Sequence, residues 1–460
     1  MKMGNPALSM QHLTLDTLSH DLAAGKVTSR ALAEACLERI QDKNGEGSRV
    51  FVHVDAEAVR QTADAMDRLR AVNASPSRFA GISISVKDLF DVQGQITRAG
   101  SKVLADAKPA TRDSAVVART RQAGFVIMGR TNMTEFAYSG LGINPHYGTP
   151  ANPWQRETPR APGGSSSGAA VSVADGMAHA ALGTDTGGSC RTPAAFVGIV
   201  GYKPTARLIP QDGIVPLAPS LDAAGPLANS VACCADLHAI LSGQPPLTLF
   251  TRDVAGLRLA IPQSIALDEL DEPVAKTFSA AIQYLSQAGA RITDAPFRSL
   301  DRVASLNAKG GLAAMESFAW HQALIQSKRS LYDPRVLARI LRGESCTAAD
   351  YVDLLAARKA VIAEAETEFA PFDAILLPTA AIVPPRIADL ATDEAYGRIN
   401  LLSLRNTTLI NVIDGCAISL PIHKAGEAPV GLMLACRGGS DHQLFTLAKA
   451  IESALNTFRS

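Results

Sequence analysis

The stretch from Arg160 to Pro204 limits what this chain can be more than any other. It holds two Gly/Ser runs, Gly163-Gly164-Ser165-Ser166-Ser167-Gly168 and Gly187-Gly188-Ser189. Between them lies a small-residue, apolar segment whose only charges are Asp175 and Asp185. A flexible linker would be rich in Gly and Ser too, but it would not carry a core-like segment in its middle. Glycine lets backbone approach a ligand closely and adopt φ > 0. Two such runs, each presenting hydroxyls, point to two loops that meet at a reaction centre.

A serine hydroxyl is a poor nucleophile until a base takes its proton. None of the nine His pairs in sequence with either run. Gly187-Gly188-Ser189-Cys190-Arg191 lacks the second Gly of a G-x-S-x-G elbow. A lysine can serve instead, and Gly81-Ile82-Ser83-Ile84-Ser85-Val86-Lys87 offers one. Its period-two pattern puts Ile82, Ile84 and Val86 on one face of a strand and Ser83, Ser85 and Lys87 on the other. Singly, a Lys at a strand end is a solvated residue and a Ser in a Gly-rich turn is a turn former. Taken singly, those plain readings win.

The remaining pattern alternates helix and strand, which predicts an α/β fold: a large mixed β-sheet core covered by helices on both faces. Leu15, Leu18 and Leu22 share a helix face. Thr28-Ser29 can cap a second helix, and a third runs from about Ala56 to Leu69. The spacing predicts a helix over 113–124 and a strand over Phe125–Met128, with a loop or helix starting at Gly129. It predicts turns at Gly201–Pro204 and Ser220–Pro226, and helices over 231–241, 272–288 and 445–455. Strands are expected at 256–261, 290–294, 374–378, 417–421 and 429–435. Asn144 to Pro162 reads as a long ordered loop over the site. The chain is read as one domain: a helical layer over 1–75, a catalytic core over 76–240 and a pocket-lining α/β part over 241–460.

Composition excludes several classes. Lys plus Arg and Asp plus Glu both number 44, and no basic tract stands out, so a nucleic-acid partner is not expected. Seven Cys are scattered without metal-ligand spacing and read as buried reduced thiols, so no metal and no cofactor is expected. The N-terminus shows no apolar leader and no stretch reaches membrane-spanning length, which leads to a cytoplasmic expectation with no membrane partner.

On Ser85-Val86-Lys87-Asp88-Leu89, Gly163-Gly-Ser-Ser-Ser-Gly-Ala169, Gly183-Thr-Asp-Thr-Gly-Gly-Ser-Cys-Arg-Thr-Pro-Ala194 and Gly201-Tyr-Lys-Pro-Thr205, the chain resembles the amidase signature family. Leu377-Pro-Thr379 and Ser419-Leu-Pro421 add to the likeness, which spans nearly the whole chain. Ser167 departs from the commoner Gly-Gly-Ser-Ser-Gly-Gly pattern. The resemblance implies the family fold and a Ser–cis-Ser–Lys triad: Ser189 as nucleophile, Ser165 as bridging serine after a cis peptide, and Lys87 as base. It further implies an oxyanion hole from the amides of Thr186, Gly187, Gly188 and Ser189, and an acyl-enzyme on Ser189 that releases ammonia or amine. Lys87 must be neutral to accept a proton, so its pKa has to fall from about 10.4, which burial can achieve.

Other residues have two readings each. Asp185 fixes the loop or meets a substrate amine. Arg191 pairs with a carboxylate or meets an acidic substrate. Tyr138 lines the pocket or belongs to the core. Ser166 and Ser167 are read as backbone caps, and Cys190 as a small core residue. Gly142–Thr149 is similar to bacterial small-molecule amidases of the indoleacetamide hydrolase kind, so the expected substrate is a small primary carboxamide. A biuret or urea-derivative amidohydrolase, the glutaminase component of a glutamyl-tRNA(Gln) amidotransferase (its A component) and a non-catalytic scaffold are the alternatives. The expected partner is a small-molecule amide, with the chain acting alone or as a homodimer.

Overall fold

The computed structural model describes residues 13–250, 252–263 and 265–459; the leader expectation at the extreme N-terminus lies outside them. Eleven strands form one continuous mixed sheet. They are β1 (Phe51–His53), β2 (Ser83–Lys87), β3 (Val126–Thr131), β4 (Ala180–Asp185), β5 (Val200–Lys203), β6 (Ala223–Ala228), β7 (Arg258–Pro262), β8 (Arg291–Ala295), β9 (Ala374–Pro378), β10 (Cys416–Pro421) and β11 (Gly431–Cys436). Their spatial order is β1-β3-β2-β4-β6-β5-β10-β11-β9-β7-β8. β2 lies centrally in its half, parallel to β3 on one side and β4 on the other.

Helices cover both faces. On one face Ile82, Ile84, Val86, Leu182, Tyr202, Leu259, Leu376, Ile418 and Leu434 meet helix residues such as Val117, Leu237, Phe278, Leu285, Phe445 and Ile451. On the other, Ala181 and Leu227 meet Ala169, Ala170, Val173 and Ala194, while Ile375, Leu377, Ala417 and Met433 meet Val361, Phe369, Leu409 and Ile410. A parallel strand buried on both faces leaves no wet side. The polar face of β2 is therefore interior too: Ser83, Ser85 and Lys87 are fully buried, and Ser85 shares a 2.8 Å hydrogen bond with Ser172 of helix Ser167–Ala174. The alternation read in the sequence thus delivers Lys87 to the face covered by the segment between the Gly/Ser runs.

Several expectations need correction. Gly201–Pro204 is not a turn, because Val200–Lys203 is β5; Ser220–Pro226 turns only at its start, because β6 begins at Ala223; and β3 runs on through Gly129 to Thr131. β6, Ala-Ala-Gly-Pro-Leu-Ala, lacks the β-branched residues that normally announce a strand. Small residues serve here because neighbours crowd in: a Cβ on Gly225 would stand 2.3 Å from the Tyr202 carbonyl oxygen. The helix Asp393–Val412 also escaped the sequence reading.

Candidate active site

Three chain segments converge at the C-terminal ends of β2 and β4. β2 ends in Lys87. β4 ends in Thr184-Asp185 and passes through Thr186-Gly187-Gly188-Ser189 into helix Arg191–Val197. The first Gly/Ser run enters between them and turns into helix Ser167–Ala174 through Ser165, whose peptide bond to Gly164 is cis. Gly164 sits where a Cβ would come within 2.5 Å of the Gly142 amide nitrogen, and its own amide donates to the Gly140 carbonyl at 2.7 Å.

The Lys87 ammonium nitrogen donates to Ser165 Oγ at 2.8 Å and to Thr184 Oγ1 at 2.8 Å. Lys87 and Ser165 are fully buried, while Ser189 keeps 4 % of its surface in solvent. No hydrogen bond joins Ser165 to Ser189 among the described residues, so the series is closed at Lys87 and open towards Ser189. Catalytic hydrogen bonds commonly tighten only around substrate. Burial lowers the Lys87 pKa to about 7, against the raising influence of Cys190, Asp185 and Asp222. Of these, Cys190 is a neutral thiol at ordinary pH, since burial pushes it far up. The opposing charges are therefore the two carboxylates, and Arg191 offsets that of Asp185. Neutral hydroxyls are the immediate neighbours of the amine, so nothing adjacent forces it to stay protonated.

The 186–190 loop is tied by Asp185. Its carboxylate accepts from the amides of Gly188 (2.9 Å) and Cys190 (3.1 Å), from Arg191 Nε (3.0 Å) and Nη2 (2.8 Å), and from Asn411 Nδ2 (2.9 Å). Burial disfavours its ionisation, yet the Arg191 guanidinium and the Asn411 amide prevail and lower its pKa to about 2. Asp185 and Arg191 are both wholly buried. The substrate-contact reading of these two residues is therefore corrected: neither has a face to offer, and each holds the loop.

One member of the expected oxyanion hole is corrected as well. The Gly188 amide donates to Asp185, whereas the amides of Thr186, Gly187 and Ser189 have no acceptor among the described residues. Gly188 has φ +137°, and a Cβ there would lie 2.1 Å from Thr407 Oγ1, so only glycine fits. Thr186 is anchored by its side chain, which donates to Asp222 Oδ1 at 2.5 Å; the other Asp222 oxygen takes the amides of Leu217 and Ala218.

Tyr138 is half-buried beside the main core. Its phenol is pushed up to about 12 by burial, and its carbonyl accepts from Arg339 Nη1 at 2.8 Å. It stands two residues before Gly140, which touches the first Gly/Ser run. Ser166 Oγ donates to the Thr184 carbonyl at 3.3 Å, and Ser167 Oγ reaches the Asn132 carbonyl at 3.5 Å. The 144–162 loop forms no helix or strand. It is pinned by Asn144 to the Gly100 and Met133 carbonyls, and by Asn152 to the carbonyl of Phe196 in the helix after Ser189. Among the described residues no group of three His, Cys, Asp or Glu side chains is placed to hold a metal ion, and no helix is long and apolar enough to cross a membrane.

Sequence reasoning missed Thr184, Thr407, Thr408 and Asn411, and took Asp222 for a turn residue. Thr184 had a signal: it lies in the Gly183–Ala194 motif, directly before Asp185. The other three come from more than 200 residues away and had none.

Comparison with known proteins places these observations. The model of the family described as Amidase matches residues 31–445. The 2-amino-5-chloromuconic acid deaminase of Comamonas testosteroni is 35% identical over 454 residues, covering 97% of each chain. The A component of the glutamyl-tRNA(Gln) amidotransferase of Chromohalobacter salexigens is 33% identical over 480 aligned residues, again with 97% of each covered. A crystal structure of an amidase superposes with a TM-score of 0.86 at 30% identity, covering 96% of this chain and 99% of that one.

Proposed function

This chain belongs to the amidase family, and from that premise we propose that it hydrolyses the C–N bond of a small carboxylic amide through an acyl-enzyme on Ser189. The observation that carries the reading is the 2.8 Å bond from Lys87 to Ser165 in a fully buried setting that lowers the lysine pKa to about 7. Ser189 Oγ attacks the amide carbon. Its proton passes to Ser165 while the Ser165 proton passes to neutral Lys87. The developing oxyanion is met by the amides of Gly187 and Ser189. Collapse breaks the C–N bond, and the proton returns from Lys87 through Ser165 to the departing ammonia or amine. Water then attacks the acyl-enzyme by the same relay, releasing the acid and restoring Ser189. Each well-aimed oxyanion donor is worth about 2.7–4 kcal/mol to such a transition state.

The chain acts in this reading as one catalytic unit, since a single sheet joins the Lys87 strand to the C-terminal strands. A second reading rests on the glutamyl-tRNA(Gln) amidotransferase relatives: the same site would then liberate ammonia for a partner protein.

Ammonia and amine release tests both. The panel holds aliphatic, arylacetic and indole-3-acetic primary amides, dicarboxylic monoamides, biuret, anilides and, because of the deaminase relative, an unsaturated 2-amino diacid. Release that disappears in Ser189→Ala is the expected result. Full turnover by Ser189→Ala would overturn the nucleophile assignment. A folded protein that releases nothing from any of these, but does so from glutamine once partner proteins are added, would establish the second reading.

A further inference from the structure

The peptide between Gly187 and Gly188 is held from both sides. Its carbonyl oxygen accepts from Thr407 Oγ1 at 2.7 Å and from Thr408 Oγ1 at 3.1 Å. Its N–H, which points the opposite way in a planar trans peptide, donates to Asp185 at 2.9 Å. Both threonines sit on helix Asp393–Val412, some 220 positions along the chain. Thr407 has a second carbonyl within reach, Leu404 at 3.0 Å, but the Gly187 oxygen is nearer. One turn further on, Asn411 Nδ2 donates to the Asp185 carboxylate at 2.9 Å, and Asn411 Oδ1 accepts from Arg191 Nη2 at 2.6 Å.

We propose that Thr407, Thr408 and Asn411 are positioning residues that fix the Gly187–Gly188 peptide, and through it aim the amides of Gly187 and Ser189 at the substrate oxygen. Two adjacent glycines have the widest backbone freedom of any pair, so their own geometry cannot hold one orientation. The amides that border this peptide on either side, those of Gly187 and Ser189, have no acceptor among the described residues. A donor site for an oxyanion works only when it is held in place before the charge develops. The helix supplies that restraint from outside the loop and donates no hydrogen bond to Lys87 or Ser165 among the described residues. The inference rests on Ser189 being the nucleophile.

The test uses the full chain with Thr407→Val, Thr408→Val and the double variant, beside Thr407→Ser and Thr408→Ser. The readouts are kcat, KM, affinity for a substrate-like aldehyde that adds to Ser189, and the melting temperature. An error in placement of about 1 Å can cost on the order of 100-fold in rate. The double Val variant is expected to lose about 10- to 100-fold in kcat, with KM nearly unchanged. Aldehyde affinity should fall in parallel, and the Ser variants should retain parental kcat. Retained kcat and aldehyde affinity in the double Val variant, alongside an inactive Ser189→Ala, would overturn this inference alone. An equal loss of kcat in Val and Ser variants that tracks the melting temperature would overturn it too, as a plain stability effect. Activity in Ser189→Ala would instead overturn the nucleophile reading. If the double variant does not fold, Thr408→Val decides, since Thr408 has no competing acceptor among the described residues.

Discussion

Acidification should switch this enzyme off through one group. In the proposed mechanism Lys87 acts as base only when neutral, and its pKa is lowered to about 7. A base of that pKa is about 99% neutral at pH 9, half neutral at pH 7 and about 1% neutral at pH 5, while an ordinary lysine near 10.4 would be neutral in only about one molecule in 2,500 at pH 7. The log of kcat/KM should therefore climb with unit slope from pH 5, bend near 7 and stay level to 9, a span of about 100-fold. The assay is ammonia release at substrate well below KM, in buffers of constant ionic strength, with circular dichroism recording the fold at each pH. Asp222 is one of the carboxylates that favour the ammonium form, so Asp222→Asn should move the bend to lower pH. A level profile from 5 to 9 with a solvent isotope effect showing that proton transfer limits the rate would refute Lys87 as base. A bend near 10 would refute the idea that burial tunes it.

Lys87→Met should be inactive yet more stable. The folded pKa of about 7 lies below the unfolded value of about 10.4, so below pH 7 the folded state bears the full penalty, at most about 4–5 kcal/mol, and the penalty fades as pH rises toward 10. Urea midpoints at pH 6.5 and 10 should show a gain at the first that shrinks at the second; a constant gain would contradict the linkage. Arg191→Met leaves Asp185 ionised and buried without its partner, which should cost about 3–5 kcal/mol in urea unfolding; a loss under about 1 kcal/mol would mean that the pair carries no structural weight. Gly188→Ala should abolish turnover, because its Cβ would stand 2.1 Å from Thr407 Oγ1 at φ +137°; parental kcat would show that the loop tolerates displacement.

What could be read in advance follows from physical range. Lys87 was legible because alternation along β2 is local, and Ser165 and Ser189 because their Gly-rich settings resemble a known family. Asp185 and Arg191 kept two readings because six residues of spacing do not tell whether a carboxylate faces a guanidinium or a ligand; burial decides it. β4 and β6 carry Ala and Gly where strands usually carry Val and Ile, since packing against Cys190 and Tyr202 leaves no room for more. The helix Asp393–Val412 was hidden for the opposite reason: Ser403, Arg405, Asn406, Thr407 and Asn411 are buried, so its interior face is polar and the apolar period is lost. Its partners are the loop polar groups, which no local window contains. Nor does any local window show that Asp185 takes the Gly188 amide.

The sheet order also sets a timetable for synthesis. β5 pairs with β6 on one side, but its other edge waits for β10, where Ala417 meets Lys203 and Ser419 meets Gly201. At about 5–20 residues per second, roughly 210 further residues take about 10–40 s to emerge from the ribosome. Through that interval the half-made sheet shows an unpaired edge to the cell, and Arg191 still lacks Asn411. The species of this protein most open to aggregation is thus its own N-terminal half, held waiting for a strand near the far end of the chain.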